Sequence, residues 1–460
     1  MGLKRGNEYI QLEINKPIRL IELFSGIGFQ RMALRDIGTK FESWRTCEWD
    51  VNAIKQYKAI HCNNDKQDYS NGKTKEQLVD ILFQAGISVD GKTPMPKERI
   101  ANKNEKWLRE VYNNCCATLN LVDISRVTGE NLQIENSDQY CYILTYSFPC
   151  QNLSVAGLQN GMVEKSGTAS SLLWEVRRIL SECDELPQIL LMENVRQVHS
   201  EKNIHQFNEW IRFLESLGYS NFWKDMNAKD YGIPQSRNRT FMISILDPAN
   251  QIKYEFPEPI KLNREFADIL VDENSVDKQL YINSTKATNL IQGLIDSGKL
   301  IVECKECITD HVNKSHCNNN LLHQHTKNQW CRDNRAKEEI HFVGNISPTQ
   351  KRDNPNSGRV YMINGIAPTL TMMSGGGRQP HVIVKMYSSE FKIRKITPNE
   401  AFRLMGCNDE DFEMAKSVAS NTSLYKTVGN GIAKNCLEAI FCQMNIKGVP
   451  TWEEYSKKYL

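Results

Sequence analysis

Cys150 is the strongest candidate nucleophile in this sequence because of where it stands along the chain. It lies in Pro149-Cys150-Gln151, where a β-rich run over 140–147 has just ended. Ligands of open α/β sheets bind outside the carboxyl ends of the strands, and a thiolate in that place can attack an electrophilic carbon. A cysteine taken at random is more often a small buried apolar side chain, so Cys150 needs support from other residues.

A carboxylate and two arginines offer that support. Glu193-Asn194 ends a segment, 188–192, that predicts a fully buried strand, and a carboxyl group left at a strand end marks either a site or a salt bridge. Arg237 and Arg239 stand two residues apart before another apolar run, which places them on the same side of an extended chain. Such a pair grips phosphate, orients a carboxylate and a carbonyl group, or forms a solvated basic edge.

A glycine-containing turn gives the first indication of a cofactor. Residues 18–24 predict a buried strand, Gly26 and Gly28 follow, and a helical pattern begins at Phe29. A strand, a glycine turn and a helix open a nucleotide-binding unit, and Glu48 lies about 20 residues further on, where a carboxylate accepts hydrogen bonds from ribose hydroxyls. The third glycine of the dinucleotide pattern is missing, which favours a smaller nucleoside cofactor.

The elements that must position these residues alternate along the first half of the chain. Apolar runs predict strands over 18–24, 119–124, 140–147, 188–192 and 240–246. Helical spacing predicts helices over 51–61, 170–183, 203–217, 396–405 and 430–443. This alternation predicts an α/β fold with a doubly wound, mostly parallel sheet and helices on both faces, whereas residues 248–390 show no sustained periodicity.

Composition excludes several classes of protein. The 460 residues are 40% apolar and 24% charged, which excludes collagen, coiled coil and wholesale disorder. No apolar run reaches the ~20 residues of a membrane helix and no signal peptide is visible, so we expect a cytoplasmic protein. The net charge of +2 neither requires nor forbids a polyanionic partner, and the 14 scattered cysteines favour reduced thiols.

Eight segments occur in an order that resembles the DNA (cytosine-5) methyltransferases of prokaryotic and phage restriction–modification systems, and they span nearly the whole chain. The segments are Phe24-Ser25-Gly26-Ile27-Gly28, Glu48-Trp49, Asp123-Ile124, Phe148-Pro149-Cys150-Gln151, Glu193-Asn194-Val195, Gln235-x-Arg237-x-Arg239, Thr397-Pro398-x-Glu400-x-x-Arg403-Leu404-Met405-Gly406 and Gly429-Asn430. The resemblance implies the fold of the S-adenosylmethionine-dependent methyltransferases with a second, smaller and irregular target-recognition domain.

The resemblance implies a covalent mechanism. Cys150 adds to C6 of a cytosine and makes C5 nucleophilic. Glu193 protonates or hydrogen-bonds N3, Arg239 hydrogen-bonds O2 and holds Glu193, and Arg237 supports the same pocket or a backbone phosphate. Asn194 holds the loop. C5 takes the methyl group of S-adenosylmethionine, a base or water removes the C5 proton, and the thiolate leaves.

The resemblance places S-adenosylmethionine at the first strand and its turn. Phe24 and Trp49 flank the adenine, Glu48 binds the ribose hydroxyls, and Asp123 accepts from the adenine amino group. The other implied cofactor contacts are Gly26, Gly28, Ile124, Pro149, Leu172, Asn430 and Gly431.

The target cytosine must leave the duplex stack before it can react. The family uses a second domain for this step, and we identify it with the interval 248–396. Arg359 is a candidate phosphate contact, and Asn356 and Ser357 are candidates to fill the space left by the flipped base. The candidate DNA contacts are Gln151, Ser154, Asn356, Ser357, Arg359, Thr369 and Leu370. Basic residues expected near this cleft, or alternatively on a solubilising surface, are Arg352, Arg359, Arg378, Lys385, Arg394 and Lys395.

In this interpretation the chain has two domains. The catalytic domain comprises 1–247 plus 424–460, and the target-recognition domain with its hinge comprises 248–423. A polar insertion over 64–117 interrupts the catalytic domain, contains some helix, and either extends the DNA surface or is an ornament. Cys304-x-x-Cys307 and two later ligands among His311, His316, Cys317, His323, His325 and Cys331 could hold Zn²⁺. The later spacing fits no recognised zinc module, so we favour reduced thiols and solvated histidines in a polar loop and predict no metal site.

Three alternatives stay open at this point. One is an RNA cytosine-5 methyltransferase on the same plan, and another is a non-catalytic DNA-binding regulator that kept the fold. The third, a nicotinamide-dependent oxidoreductase, is disfavoured by the missing glycine. The preferred interpretation is a monomer that acts on double-stranded DNA away from any membrane. A cognate endonuclease would act on the same sequence without forming a stable complex.

Overall fold

The computed structural model describes residues 10–149, 153, 169–300, 338–347, 355–373, 378–386 and 390–460. Cys150, Gln151, Ser154, Arg352 and the Cys304–Cys307 segment lie outside these ranges. In the described part of the chain, no helix is long and apolar enough to cross a membrane, and no group of side chains is suited to hold a metal ion.

Strands and helices alternate through much of the first 246 residues, and the elements described after residue 395 are helices. In the described ranges the strands are β1 (Ile10–Gln11), β2 (Ile18–Leu23), β3 (Phe41–Cys47), β4 (Cys141–Tyr146), β5 (Ile189–Val195), β6 (Tyr219–Asn227), β7 (Asn238–Leu246), β8 (Ile252–Lys253), β9 (Phe342–Asn345), β10 (Arg359–Tyr361), β11 (His381–Lys385) and β12 (Phe391–Lys395). The α-helices there are α1 (Phe29–Asp36), α2 (Val51–His61), α3 (Lys75–Ala85), α4 (Lys97–Ala101), α5 (Glu105–Ala117), α6 (Leu173–Glu182), α7 (Ile204–Ser216), α8 (Thr285–Asp296), α9 (Pro398–Arg403), α10 (Asp409–Lys416), α11 (Asn421–Gly429), α12 (Lys434–Cys442) and α13 (Trp452–Tyr459).

The central sheet has six strands in the order β3-β2-β4-β5-β7-β6. The first four are parallel, whereas β7 pairs antiparallel with both β5 and β6. The predicted α/β fold with a doubly wound, mostly parallel sheet is therefore confirmed, with an antiparallel pair added at one edge.

Helices cover both faces of this sheet because side chains alternate along each strand. Leu20 packs in one apolar cluster with Met32 of α1 and Leu437 of α12. Ile21, the next residue of β2, packs in a second cluster with Val176 of α6 and other residues of α6 and α7. Strand β4 is buried at every residue, as expected for a parallel strand covered on two sides.

The insertion over 64–117 is a packed helical unit. Leu78 and Leu82 of α3 share a core with Leu108 of α5 and with Ile54 of α2. The helix predicted in this segment is therefore present, and it is anchored to the helix that follows β3.

A second, four-stranded sheet in the order β12-β11-β10-β9 lies within residues 342–395. Ala287 and Leu294 of α8 pack with Val360 and Ile383 of this sheet. The sequence predicted an irregular region here, and the structure corrects this. Strands of three to five residues are too short to show a period of two among loop residues.

Helices α9 and α10 share the apolar core of the central sheet, and this core also includes Val382 and Val384 of β11. Phe402 and Phe412 belong to the same apolar cluster as Met32 and Leu437. The division of the chain at residue 423 stays a prediction.

The strand predicted over 119–124 is wrong. Asn120 makes a single bridge to Thr46, and the chain then enters a 3-10 turn at Ile124–Arg126. Leu119 and Val122 have φ angles of 51° and 67°, outside the extended region, so regular strand pairing cannot continue past Asn120.

Candidate active site

Four parallel strands end at one edge of the central sheet, and this edge collects the candidate residues. Phe24 follows β2, Glu48 follows β3, Phe148-Pro149 lies beyond β4, and Glu193 lies in the last three residues of β5. Strand β7 runs the opposite way, so Arg239 at its beginning lies at the same edge. The topology thus brings together side chains from five separate segments.

Glu193 and Arg239 form an ion pair that follows from strand register. Arg239 pairs with Val195 across β5 and β7, so its side chain lies on the same face as that of Glu193. The Nε atom of Arg239 lies 3.2 Å from Oε1 of Glu193, whose side chain is 9% exposed. Burial raises the pKa of Glu193, while Arg239 and Arg237 oppose the rise. Such a carboxyl group can hold and donate a proton.

Asn194 holds the segment that leads to Cys150. Its Nδ2 donates to the carbonyl of Phe148 at 3.0 Å, and its Oδ1 accepts the Val195 N–H at 2.8 Å. These contacts fit the predicted role of Asn194 in holding the loop.

The side chains of Gln235 and Arg237 form hydrogen bonds with the backbone of three other segments, around residues 370, 404 and 431. Arg237, 3% exposed, donates from Nη1 to the Leu370 carbonyl at 2.8 Å and from Nη2 to the Gly431 carbonyl at 2.6 Å. The Nε2 of Gln235 donates to the Leu404 carbonyl at 2.6 Å, and its Oε1 accepts the Leu370 N–H at 2.9 Å. Of the two predicted roles of Arg237, support of the pocket fits these contacts. Sequence reasoning missed the tie made by Gln235, although its place beside the two arginines was a signal.

No residue that the structure describes fills the space in front of Gly26, in the turn after β2. A Cβ added at Gly26 would meet no described atom within 4 Å, whereas one at Gly28 would lie 2.5 Å from Nε2 of His61. The φ of Gly28 is 81°, in the left-handed region that favours glycine. Gly28 is therefore required by packing against α2, and Gly26 leaves room for a ligand.

Glu48 closes one side of this turn. Its Oε2 accepts the Gly26 N–H at 3.0 Å, and its Oε1 accepts the Asp50 N–H at 2.8 Å. Burial and the carboxylate of Asp50 raise the pKa of Glu48 to about 7, against the effect of the backbone N–H donors. Each carboxylate oxygen keeps a further lone pair, so Glu48 fits the hydroxyls of a ribose.

Asp123 is held in one orientation beside this edge. Its Oδ1 accepts the backbone N–H of Ser125 at 3.0 Å and the Ser125 hydroxyl at 2.8 Å, and its Oδ2 lies 3.3 Å from Nε of Arg126. Trp49 is half-buried against the core of the insertion. The residues predicted to surround an adenine thus come from separate loops at one edge.

Phe24, Ile124 and Leu172 share one apolar cluster, in which Ile124 is buried and the other two are half-buried. The carbonyl of Pro149 accepts a hydrogen bond from the Ser170 hydroxyl at 2.8 Å. Three apolar residues of the predicted cofactor set therefore lie in one apolar cluster.

The C-terminal return, meaning α11 and the residues that follow it to α12, packs closely against the site because two of its residues are glycines. A Cβ at Gly431 would lie 2.1 Å from Cε2 of Phe29, and a Cβ at Gly429 would lie 2.0 Å from the Thr371 carbonyl oxygen. Between them, Asn430 is exposed at the end of α11.

The predicted DNA contacts of the smaller sheet differ in exposure. Asn356 and Thr369 are exposed, and the Thr369 hydroxyl donates to the Ser236 carbonyl. Ser357 and Arg359 are half-buried, and Leu370 is 1% exposed. Leu370 therefore lies in the core, where its backbone is bonded to Gln235 and Arg237.

One basic residue expected near the cleft is not at a surface. Arg394 is fully buried between Glu273 and Glu400, with Nη2 at 2.6 Å and 2.8 Å from their oxygens. The expectation that Arg394 faces DNA or solvent is wrong, because the buried Glu400 and the half-buried Glu273 hold it in the core.

A family model described as C-5 cytosine-specific DNA methylase matches residues 18–86 and 83–445. These ranges contain all eight segments on which the resemblance was based.

Relatives of similar length support the same assignment. Type II methyltransferase M2.ScrFI of Lactococcus lactis subsp. cremoris is 30% identical over 429 residues, 93% of this chain and 99% of that protein. Orphan methyltransferase M.SssI of Spiroplasma monobiae is 36% identical over 278 residues, 59% of this chain and 70% of that protein. The crystal structure of S. pombe Dnmt2 methyltransferase covers 92% of this chain and 97% of its own, with a TM-score of 0.52 at 15% identity, which supports the fold alone. The match over most of the chain, together with the assembled strand edge, shows that this protein belongs to the C-5 cytosine-specific DNA methylase family.

Proposed function

We propose that the chain transfers a methyl group from S-adenosylmethionine to C5 of a cytosine in one short sequence of double-stranded DNA. The observation that carries this proposal is the buried Glu193–Arg239 pair. It lies at the strand edge where Asn194 holds the segment that leads to Cys150. The pair combines a proton-holding carboxyl group with a guanidinium donor, the two groups that a cytosine ring needs at N3 and O2.

The proposed reaction starts from the thiolate of Cys150. It adds to C6, and the electron pair of the C5–C6 double bond moves into the ring. Glu193 donates a proton or hydrogen bond to N3, and Arg239 donates to O2, so both stabilise the charge that develops there. S-adenosylmethionine supplies an electrophilic sulfonium methyl group. C5 would bond to the methyl carbon as the methyl–sulfur bond breaks and its electron pair stays on sulfur. Water or another base would take the C5 proton, the C5–C6 double bond would re-form, and the thiolate would leave from C6.

The environment of Glu193 supports its role as the proton donor. Burial raises the pKa of this carboxyl group, so it keeps its proton closer to neutral pH than an exposed glutamate does. Arg239, at 3.2 Å, limits that rise and fixes the carboxyl group in one orientation.

The donor set at the first turn supports the cofactor assignment. The space in front of Gly26 and the carboxylate of Glu48 suit the ribose, and Phe24 and Trp49 suit the two faces of an adenine. Asp123 would accept from the adenine amino group. The further proposed contacts are Gly28, Ile124, Pro149, Leu172, Asn430 and Gly431.

We propose that the smaller sheet contacts the duplex while the cytosine is flipped out. Asn356 and Ser357 would fill the vacated space and Arg359 would contact a phosphate, with Thr369 at the same surface. Leu370 would support this surface from the core through Gln235 and Arg237. Phosphate contacts make the DNA affinity fall as salt rises.

The relatives support a role in DNA modification. Their names describe Type II and orphan methyltransferases of bacteria and phages. We propose that this chain acts as a monomer in a prokaryotic cytoplasm, as the modification enzyme of a restriction–modification system. A cognate endonuclease would recognise the same sequence without a stable complex.

Methylation mapping tests the proposal. Wild type, Cys150→Ser and the control Cys116→Ser, a half-buried cysteine of the insertion, are expressed in a host without cytosine methylation. We expect bisulfite-resistant cytosines in one short motif for wild type and Cys116→Ser, and none for Cys150→Ser. Unmarked genomic DNA with folded wild-type protein would contradict the proposal and direct attention to RNA.

A further inference from the structure

The insertion over 64–117 touches the candidate cofactor edge at three places. The first is the chain directly after Glu48. The backbone N–H of Ser88 donates to the Trp49 carbonyl at 2.7 Å, and the Val51 N–H donates to the Ser88 carbonyl at 2.9 Å. Ser88 therefore forms a single parallel bridge with Asp50, the residue that caps the N-terminus of α2.

The second contact reaches Asp123. Helix α3 ends at Gly86, where an added Cβ would lie 2.7 Å from Oδ2 of Asp123. Arg126 lies 3.3 Å from the same oxygen and donates from Nη1 to the Phe83 carbonyl at 2.8 Å. The C-terminal end of α3 is thus packed directly against the carboxylate predicted to meet the adenine.

The third contact joins the insertion to the C-terminal return. The Nζ of Lys426 lies 2.6 Å from Oδ2 of Asp50 and donates to the Asp90 carbonyl at 2.8 Å. A Cβ at Gly91 would lie 3.1 Å from this Nζ. Lys426 belongs to α11, which ends beside Asn430. One ammonium group therefore links the ribose side, the insertion and the helix that leads to the methionine side.

The turn that Lys426 grips is internally braced. The buried hydroxyl of Ser88 accepts the Gly91 N–H at 3.0 Å and donates to the Thr93 carbonyl at 2.7 Å. The Asp90 carboxylate accepts the backbone N–H groups of Lys92 and Thr93, which lowers its pKa to about 2. A turn that is already held by hydrogen bonds suits the wall of a binding site, because it loses little conformational entropy when a ligand binds.

We propose that the insertion forms the outer wall of the S-adenosylmethionine site, and that Lys426 is a positioning residue that locks this wall against Asp50 and Glu48. The inference rests on the proposed function, since it assigns a role toward the proposed cofactor. It replaces both roles considered from the sequence, a DNA surface and an ornament. The coupling of Lys426 to Glu48 passes through Asp50, whose backbone N–H donates to Oε1 of Glu48 at 2.8 Å.

The test compares Lys426→Met, Lys426→Arg and Ser88→Ala with Lys457→Met in the full chain. Lys457 is a matched control, since its side chain is 73% exposed and pairs only with Glu453 of its own helix among described residues. The readouts are the Kd for S-adenosylmethionine by calorimetry, the Kd for DNA, and kcat at saturating cofactor.

For Lys426→Met we expect the cofactor Kd to rise tenfold or more, with the DNA Kd and kcat within twofold of wild type. Lys426→Arg should recover part of the affinity, Ser88→Ala should lose about threefold, and Lys457→Met should match wild type. If Lys426→Met does not fold, the cofactor Kd of Ser88→Ala tests the inference instead, because this substitution removes one buried hydroxyl without adding volume.

Wild-type cofactor affinity in folded Lys426→Met or, failing that, in Ser88→Ala overturns the inference. A loss of DNA affinity alone also overturns it and makes the insertion a DNA surface. If wild type itself binds no S-adenosylmethionine, the proposed function fails, which is a separate outcome from the failure of the wall.

Discussion

Two buried arginine–carboxylate clusters of this chain have similar composition and differ in how fully they are bonded. Arg394 contacts Glu273 and Glu400 through all three guanidinium nitrogens, at 2.6 to 3.1 Å. Arg239 lies 3.2 Å from Glu193 through Nε alone, and its Nη1 donates to the Asn238 carbonyl. Among described residues, Glu193 makes no other ion pair.

The extent of hydrogen bonding distinguishes a structural cluster from one that can bind a ligand. The Arg394 cluster is saturated, and Oε2 of its Glu400 also accepts the Thr397 N–H at 2.6 Å, which caps α9. Such a network fixes the fold and has little capacity left for a ligand. The Glu193–Arg239 pair keeps lone pairs and donors at the strand edge, as a site for a polar ring requires.

The largest effect should come from the unsaturated cluster. Glu193→Gln removes the proton donor to N3, so kcat for DNA methylation should fall by about 10²–10⁴-fold. The free energy of unfolding should change by no more than about 1 kcal/mol, because the amide keeps the shape and burial already disfavours the charge. Steady-state methyl transfer and urea unfolding measure the two quantities. A variant with wild-type kcat would remove Glu193 from the chemistry.

A substitution in the saturated Arg394 cluster should lower the free energy of unfolding. Arg394→Met leaves two carboxylates without their cation, one of them fully buried, and should lower the free energy of unfolding by about 3–5 kcal/mol. The control is Arg378→Met, an exposed arginine near the same sheet, which should be neutral. Urea unfolding of both proteins tests this, and equal stability of the two variants would contradict the structural role of Arg394.

The two arginines of one segment sharpen the comparison further. Arg237→Lys loses the two-armed donation to the Leu370 and Gly431 carbonyls, and should lower the free energy of unfolding by about 1–3 kcal/mol. Arg239→Lys should instead lower kcat and leave unfolding near wild type, because Arg239 makes few structural contacts. Urea unfolding and methylation kinetics are measured on both variants. A stability loss in Arg239→Lys and a kcat loss in Arg237→Lys would contradict the two assigned roles.

The smallest predicted effect concerns pH. The pKa of Glu48 is raised to about 7 by burial and by Asp50, so its carboxyl group gains a proton as pH falls below that value. Ribose hydroxyls donate best to the ionised form, so affinity for S-adenosylmethionine should rise between pH 6 and pH 8, by at most about tenfold per unit. Calorimetry across this range measures it, with Glu48→Gln as the control that removes this titration. The same slope in both proteins would assign the titration elsewhere.

The sequence alone predicted much of the central sheet and of the site. Strands buried on both faces appear as continuous apolar runs, as at 188–192, and helices such as 204–216 repeat apolar residues at helical spacing. Strand β6 was missed because it lies at the sheet edge and carries exposed Trp223 among polar residues. The strand predicted over 119–124 failed because Leu119 and Val122 adopt positive φ, which no apolar pattern reveals.

The residue types at the strand ends and their order can be read from the sequence, because alternating apolar patterns dictate the α/β layers. The tertiary structure was needed to identify the arginine that meets Glu193, since that depends on the antiparallel register of β5 and β7. It also decided that Arg394 is buried and that the insertion reaches Asp50 through Ser88 and Lys426. Long-range ion pairs and single backbone bridges join residues far apart in the chain, so they leave no periodic signal in the sequence.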